Sequence, residues 1–168
     1  MSEPVALFRL AYASRSIIDP ARVPVEIPRI LESARRSNAA QDITGALLFG
    51  ADGFVQVLEG PVAAVEQTFE RIQCDPRHAG VAVLEAGPVG QRDFDGWSMA
   101  FAGRQPDLQV AALGPAPDIL GLLQAALRRM AGHPVPARSS ATMPPGRHPG
   151  RANGPGRVPP SPSAAAGG

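Results

Sequence analysis

Tyr12, Ser14, Asn38, Gln56, Trp97 and Met99 are the side chains of this sequence that could do chemistry together. A phenol and an indole can each give up an electron. A carboxamide both donates and accepts hydrogen bonds, so it can pass a change at one partner on to another. Gln56 is the centre of the set. It lies in the run Phe54-Val-Gln-Val-Leu58, where strand alternation points it to the same side as Phe54 and Leu58, a side those neighbours mark as buried. A buried amide without partners costs about 1–3 kcal/mol, so Gln56 must meet polar groups inside the protein. The nucleophile-and-base pairs of hydrolytic enzymes are missing, because His78, His133 and His148 have no companion Ser or Cys at motif spacing. Tyr and Trp singly are ordinary core residues whose polar tips find backbone partners, and Met fills gaps. Their conjunction on one sheet face is what points to a polar pocket lined by redox-capable aromatics.

Composition narrows the classes. Lys is absent, so all 16 basic residues are Arg, which removes Schiff-base chemistry and the phosphate-loop lysine. A net charge of +1 argues for neither nucleic acid nor an acidic substrate. The single cysteine, Cys74, excludes a disulfide framework and a Cys-based zinc site. It has no activating neighbour in sequence and is expected to be inert. Glu3 stands where a signal peptide would carry positive charge, Arg9 interrupts any apolar run, and no stretch has the length of a membrane span. A reducing cytoplasm is the expected compartment. With 168 residues, 44% of them hydrophobic, the chain suits one domain plus an appendage.

The elements that must position these residues read in order. Leu7–Ser14 is a first strand with Leu10, Tyr12 and Ser14 on one face and Arg9 and Ala11 on the other. Residues 17–25, with Pro20 and Pro24, read as a loop. Ile27, Ile30, Leu31 and Ala34 form the stripe of a helix that runs to about Asn38. Pro28 is tolerable only in a first turn, so this helix is predicted to start near Glu26 or Ile27. Ile43–Gly60 is a hairpin turning at Gly50-Ala-Asp-Gly53. Pro61 opens a second helix with Val62, Val65, Phe69 and Ile72 inward, ending by Pro76. Gly80–Glu85 and Gly96–Phe101 are the fourth and fifth strands. This order predicts an α+β ferredoxin-like sandwich, a five-stranded mixed sheet with two helices on one face.

Beyond it, Ala116–Met130 reads as a third helix whose apolar face, Ile119, Leu122, Leu123 and Leu127, must rest on the open sheet face or on a second copy. From His133 onward the chain is Pro, Gly, Ala and Ser with scattered Arg and no acid, a composition expected to be disordered. The expected divisions are residues 1–103, 104–132 and 133–168.

Five segments carry a family resemblance, in order: Arg9-Leu-Ala-Tyr-Ala-Ser14; Asn38 with Ile43-Thr-Gly-Ala-Leu-Leu48; Phe54-Val-Gln-Val-Leu-Glu-Gly60; Phe69-Glu-Arg-Ile-Gln-Cys-Asp-Pro-Arg-His78; and Arg92-Asp-Phe-Asp-Gly-Trp-Ser-Met99. Over residues 5–103 the chain resembles the BLUF family, blue-light sensors using FAD, and in particular its short stand-alone members. The resemblance implies that Tyr12 gives an electron and a proton, that Gln56 lies between Tyr12 and the flavin, and that Asn38 bonds the ring edge. It implies that Ile30 packs on the ring and that Arg71 and Asp75 lie near it; by spacing alone these two are an exposed i, i+4 ion pair of little energy. Trp97 and Met99 match the pair that competes for the place beside the glutamine, and Ser14 the hydroxyl partner of a tryptophan turned inward. Ser37 stands where many relatives carry Asn or His.

The implied switch starts with Tyr12 and ends with the Gln56 amide rotated or tautomerised, a red-shifted flavin, and a bias on Trp97 and Met99 that reaches the C-terminal helix. The signal is expected to pass to a partner protein or to self-association in a homo-oligomer. No enzymatic activity is expected. The competing readings are a light-insensitive ferredoxin-like binding or scaffold module, and an acyl-phosphate hydrolase on the same fold. RNA binding is disfavoured because the strands lack the paired exposed aromatics of an RNA-reading sheet.

Overall fold

The hairpin lays down the middle of the sheet. In the computed structural model, which describes residues 5–115 and 117–131, β2 (Thr44–Gly50) and β3 (Gly53–Pro61) pair antiparallel around Ala51 and Asp52. β1 (Leu7–Ser16) lies antiparallel to β3, and β4 (His78–Val89) antiparallel to β1 on the far side. β5 (Ala100–Gln105) runs parallel to β2, which gives the order β4-β1-β3-β2-β5. This is the predicted five-stranded mixed sheet of an α+β, ferredoxin-like fold.

Alternation then divides the side chains into two layers. Leu10, Tyr12, Leu47, Phe49, Phe54 and Leu58 meet α1 (Val23–Ala40) through Val23, Ile27 and Leu31, and α2 (Val62–Gln73) through Val65. Ala11, Ala13, Ala46, Leu48, Val55 and Val57 meet α3 (Ile119–Met130) through Ile119, Leu123 and Ala126. The apolar face of α3 thus takes the open sheet face, one of its two predicted resting places. Asp118 caps α3 by accepting from the Gly121 N–H, and Arg128 and Arg129 lie at its negative end. Its last turn closes on β5. Gly103 has φ +85°, and a Cβ there would stand 2.6 Å from Met130 Sδ.

Several predicted boundaries move. α1 starts at Val23, not Glu26, so Pro28 lies inside the helix, and a 3-10 turn over Pro20–Arg22 occupies part of the predicted loop. The missing Pro28 N–H orphans only the carbonyl of Pro24, four residues back in the first turn, where the chain is exposed to water. β3 continues through Pro61, which caps α2 rather than opening it. Val62 is exposed and Thr68 takes a buried place in the helix stripe. β5 starts at Ala100, so Trp97 and Met99 lie in the loop that enters it, not on a strand. The tail expected over 133–168 lies outside the described residues. Among those described, no helix is long and apolar enough to cross a membrane.

Candidate functional site

A cleft of about 210 Å³ opens between α1 and α2 above the sheet. Its floor is Tyr12, Leu47, Phe54 and Gln56. α1 contributes Ile30, Ala34, Ser37 and Asn38 to the walls, and α2 contributes Thr68, Arg71 and Ile72. Asp75, Arg77 and His78, from the link into β4, complete the lining.

Three buried side chains form a chain beneath it. The Tyr12 O–H donates to Gln56 Oε1, and Gln56 Nε2 donates to Met99 Sδ at 3.4 Å. All three are almost wholly withdrawn from solvent. Burial, with the Asp75 carboxylate adding to it, pushes the Tyr12 phenol far above its ordinary value of 10.0. The phenol therefore keeps its proton at neutral pH and is a standing donor. Sulfur is a weak acceptor, so the Gln56 amide is held firmly at its oxygen and loosely at its nitrogen.

The segment carrying Met99 is fixed by its carbonyls. Gly45 N–H donates to the Trp97 carbonyl at 3.0 Å, Asn38 Nδ2 to Ser98 at 2.8 Å, and Arg35 Nε to Met99 at 3.0 Å. This puts Met99 under the cleft and Trp97 elsewhere. Trp97 packs against the layer of Ala11, Val57 and Phe94, on the α3 side of the sheet. The sequence reading of Trp97 on the same face as Tyr12 and Gln56 is corrected accordingly. Parity along a strand does not govern a loop, and Gly96, at φ +84°, turns the chain just before it.

The hydroxyl of Ser14, expected to serve an inward tryptophan, instead lies 2.7 Å from His78 Nδ1. The His78 ring packs on Phe54 at 4.6 Å and edge-on to Tyr12 at 6.3 Å. Burial holds its pKa below the ordinary imidazole value, with Asp75 opposing and Arg77 assisting. His78 thus does have a serine partner, which spacing missed because 64 residues separate the two. Nor do Arg71 and Asp75 pair. Asp75 is gripped by Arg77 through bonds of 2.7–3.2 Å, which hold its carboxyl below the usual range. Arg71 donates to Thr68 Oγ1 at 3.1 Å and forms no ion pair among the described residues. Ser37 accepts from Gln41.

One group had no forecast. Glu59 is fully buried on the α3 side, and its carboxylate accepts from Arg9 Nε (3.1 Å) and Nη2 (3.0 Å), from the Asp93 and Phe94 N–H groups (3.0 and 3.1 Å) and from Thr44 Oγ1 (3.3 Å). Arg9 also reaches Asp93, and Arg92 donates to the Glu59 carbonyl and Asp42. Together they fasten the start of the loop that carries Trp97 and Met99. The signal was present, since Glu59 alternates with Val57 and Val55 and had to be buried with them, opposite Arg9.

The cleft fits a flavin ring. Ile30 and Ile72 offer apolar surface from opposite helices, and the Asn38 amide has its Nδ2 engaged while its Oδ1 has no protein partner among the described residues. An acceptor at the wall and the Gln56 amide at the floor match a planar heterocycle with polar edges.

The comparisons agree with this geometry. The family model described as sensors of blue light using FAD matches residues 7–100. Photoactivated adenylate cyclase subunit beta of Euglena gracilis is 35% identical over 118 residues, 70% of this chain and 13% of that protein. The chain therefore spans about an eighth of the length of such curated relatives. The dark-state structure of BlrB, a BLUF protein, superposes with a TM-score of 0.56 at 34% identity, covering 74% of this chain and 93% of that one. BlrP1 of Klebsiella pneumoniae, with FMN and cyclic diGMP, gives 0.54 at 34% identity over 73% of this chain and 30% of that one. This chain belongs to the BLUF family of flavin-binding blue-light sensors.

Proposed function

We propose that this chain is a blue-light photoreceptor that holds FAD in the cleft between α1 and α2, and that Tyr12, Gln56 and Met99 are its switch. The observation that carries the proposal is the continuous chain from the Tyr12 phenol through the Gln56 amide to Met99 Sδ beneath that cleft. Ile30 would pack on the ring, Asn38 would bond its edge, and Arg71, exposed and without an ion pair among the described residues, would be available to phosphate. When bound, the flavin supplies the absorption of blue light and a reversible one-electron acceptor.

The residues do the rest. Tyr12 yields an electron, and its phenolic proton passes to Gln56 Oε1, the atom it already faces. When electron and proton return to Tyr12, the Gln56 amide is left rotated or tautomerised. Its Nε2 then no longer offers Met99 Sδ the same donor, and the Met99 segment is biased toward a second position. Met99 directly precedes β5, and β5 holds the last turn of α3 at Gly103. The output is accordingly a change in the α3 face, read by a protein partner or by a second copy. We place this in the cytoplasm, where the exposed Cys74 remains a free thiol.

An absorption spectrum before and after blue illumination, with mass analysis of the released cofactor, tests the proposal. Flavin bands, a reversible red shift and a mass of FAD are expected. A colourless protein that refuses added FAD would overturn it.

A further inference from the structure

We propose that Arg35 is a positioning residue of the switch: it selects Met99 over Trp97 as the side chain beneath the Gln56 amide. The inference rests on the photoreceptor reading for its function but stands on bonds of its own. Residues 97–99 precede the β2–β5 ladder, so their carbonyls have no strand partner except through Gly45. Arg35 and Asn38, three apart on one face of α1, take the next two carbonyls, Met99 and Ser98. Arg35 makes no other hydrogen bond and no ion pair among the described residues. Its donor is charged, and from an exposed position on α1 it reaches the carbonyl of the buried Met99, so it holds that residue's backbone rather than its side chain.

The alternative it prevents is specific. Trp97 and Met99 are two residues apart in the loop before β5, so a shift of that loop by two residues carries residue 97 to the place of residue 99. Gly96, already at positive φ, provides a hinge. The three carbonyl bonds in a row resist that movement, and two of them come from α1. Of these, Asn38 lines the cleft and senses its contents, whereas Arg35 stands outside it. Arg35 is thus the part of the clamp that can be altered without touching the flavin site.

The test uses the full chain in the dark and in light. Trp97 is the single tryptophan, so its emission and its quenching by acrylamide report its burial, and methyl-labelled methionine gives a signal for Met99 among four. Arg35→Ala is expected to move Trp97 emission to shorter wavelength, reduce quenching, displace the Met99 methyl signal, and alter the rate of dark recovery by about tenfold or more, the factor a hydrogen bond from a charged group carries. Arg35→Lys, which keeps a charged donor, should restore most of each. Arg35→Met, which truncates the donor while keeping a straight chain, serves as a second variant should the alanine variant fold poorly. If Trp97 emission and the Met99 methyl signal stay as in the wild type in the truncated variants, the inference is wrong. A wild-type protein without a light-induced red shift would sink the photoreceptor reading instead, and the dark readouts would still decide the clamp.

Discussion

Tyr12 and Gln56 are directly opposed across the β1–β3 ladder, and the phenol of the first donates to the amide oxygen of the second. Leu10 opposite Leu58 and Ser14 opposite Phe54 flank the pair. A slip of one residue would turn every one of these side chains to the other face. The alignment of the switch is therefore fixed by sheet register, with the helices above it free to shape the cleft.

Tyr12→Phe is expected to keep the flavin and lose the reversible red shift, as difference spectra will show. The same change leaves Gln56 Oε1 buried without its donor, so urea unfolding should show a loss of about 1–3 kcal/mol.

Glu59→Ala removes the acceptor around which Arg9, Thr44 and the Asp93–Phe94 backbone gather. Breaking a buried ion pair from one side costs about 3–5 kcal/mol, partly relieved here because Arg9 retains Asp93 and Glu85. Glu59→Gln should lose less, since an amide oxygen still accepts from backbone N–H. Denaturant midpoints will rank the two, and faster amide exchange across residues 92–99 should accompany the larger loss.

Acid should weaken the fold through His78. Its folded pKa lies below the unfolded value of 6.5, chiefly through burial, while Asp75 pulls it up and Arg77 pushes it down. The unfolded chain therefore takes up the proton first as pH falls. Stability is level above the unfolded value and declines below it until the folded imidazole also protonates. Melting temperatures from about pH 8 to pH 5 should fall for the wild type. The decline should be shallower for His78→Gln; an unchanged slope would show that other groups carry it.

Leu123→Ala tests whether α3 is integral to the fold. Leu123 is fully buried against the sheet, and truncation of such a side chain costs about 2–5 kcal/mol. A single cooperative transition at lower denaturant is expected. A wild-type midpoint would mean that α3 leaves the sheet at little cost.

The sequence by itself determined the strands, the hairpin and the faces on which their residues lie; that β1 pairs with β3, Tyr12 opposite Gln56, came from the tertiary structure. Period-two alternation and the Asp52-Gly53 turn placed Gln56 inward with Phe54 and Leu58, and the same rule placed Tyr12. Helix periodicity found the inward Ile27, Leu31 and Val65. Such signals are local, set by neighbours a few residues apart, and a chain carries them wherever it goes. Only the tertiary structure decided which of Trp97 and Met99 lies under the amide, that Ser14 meets His78, that Asp75 turns to Arg77, and that Glu59 gathers the loop before β5. Most of those choices hang on single bonds between groups 34 to 64 residues apart. No periodicity encodes them, because each depends on which polar group is left within reach after the strands and helices have packed.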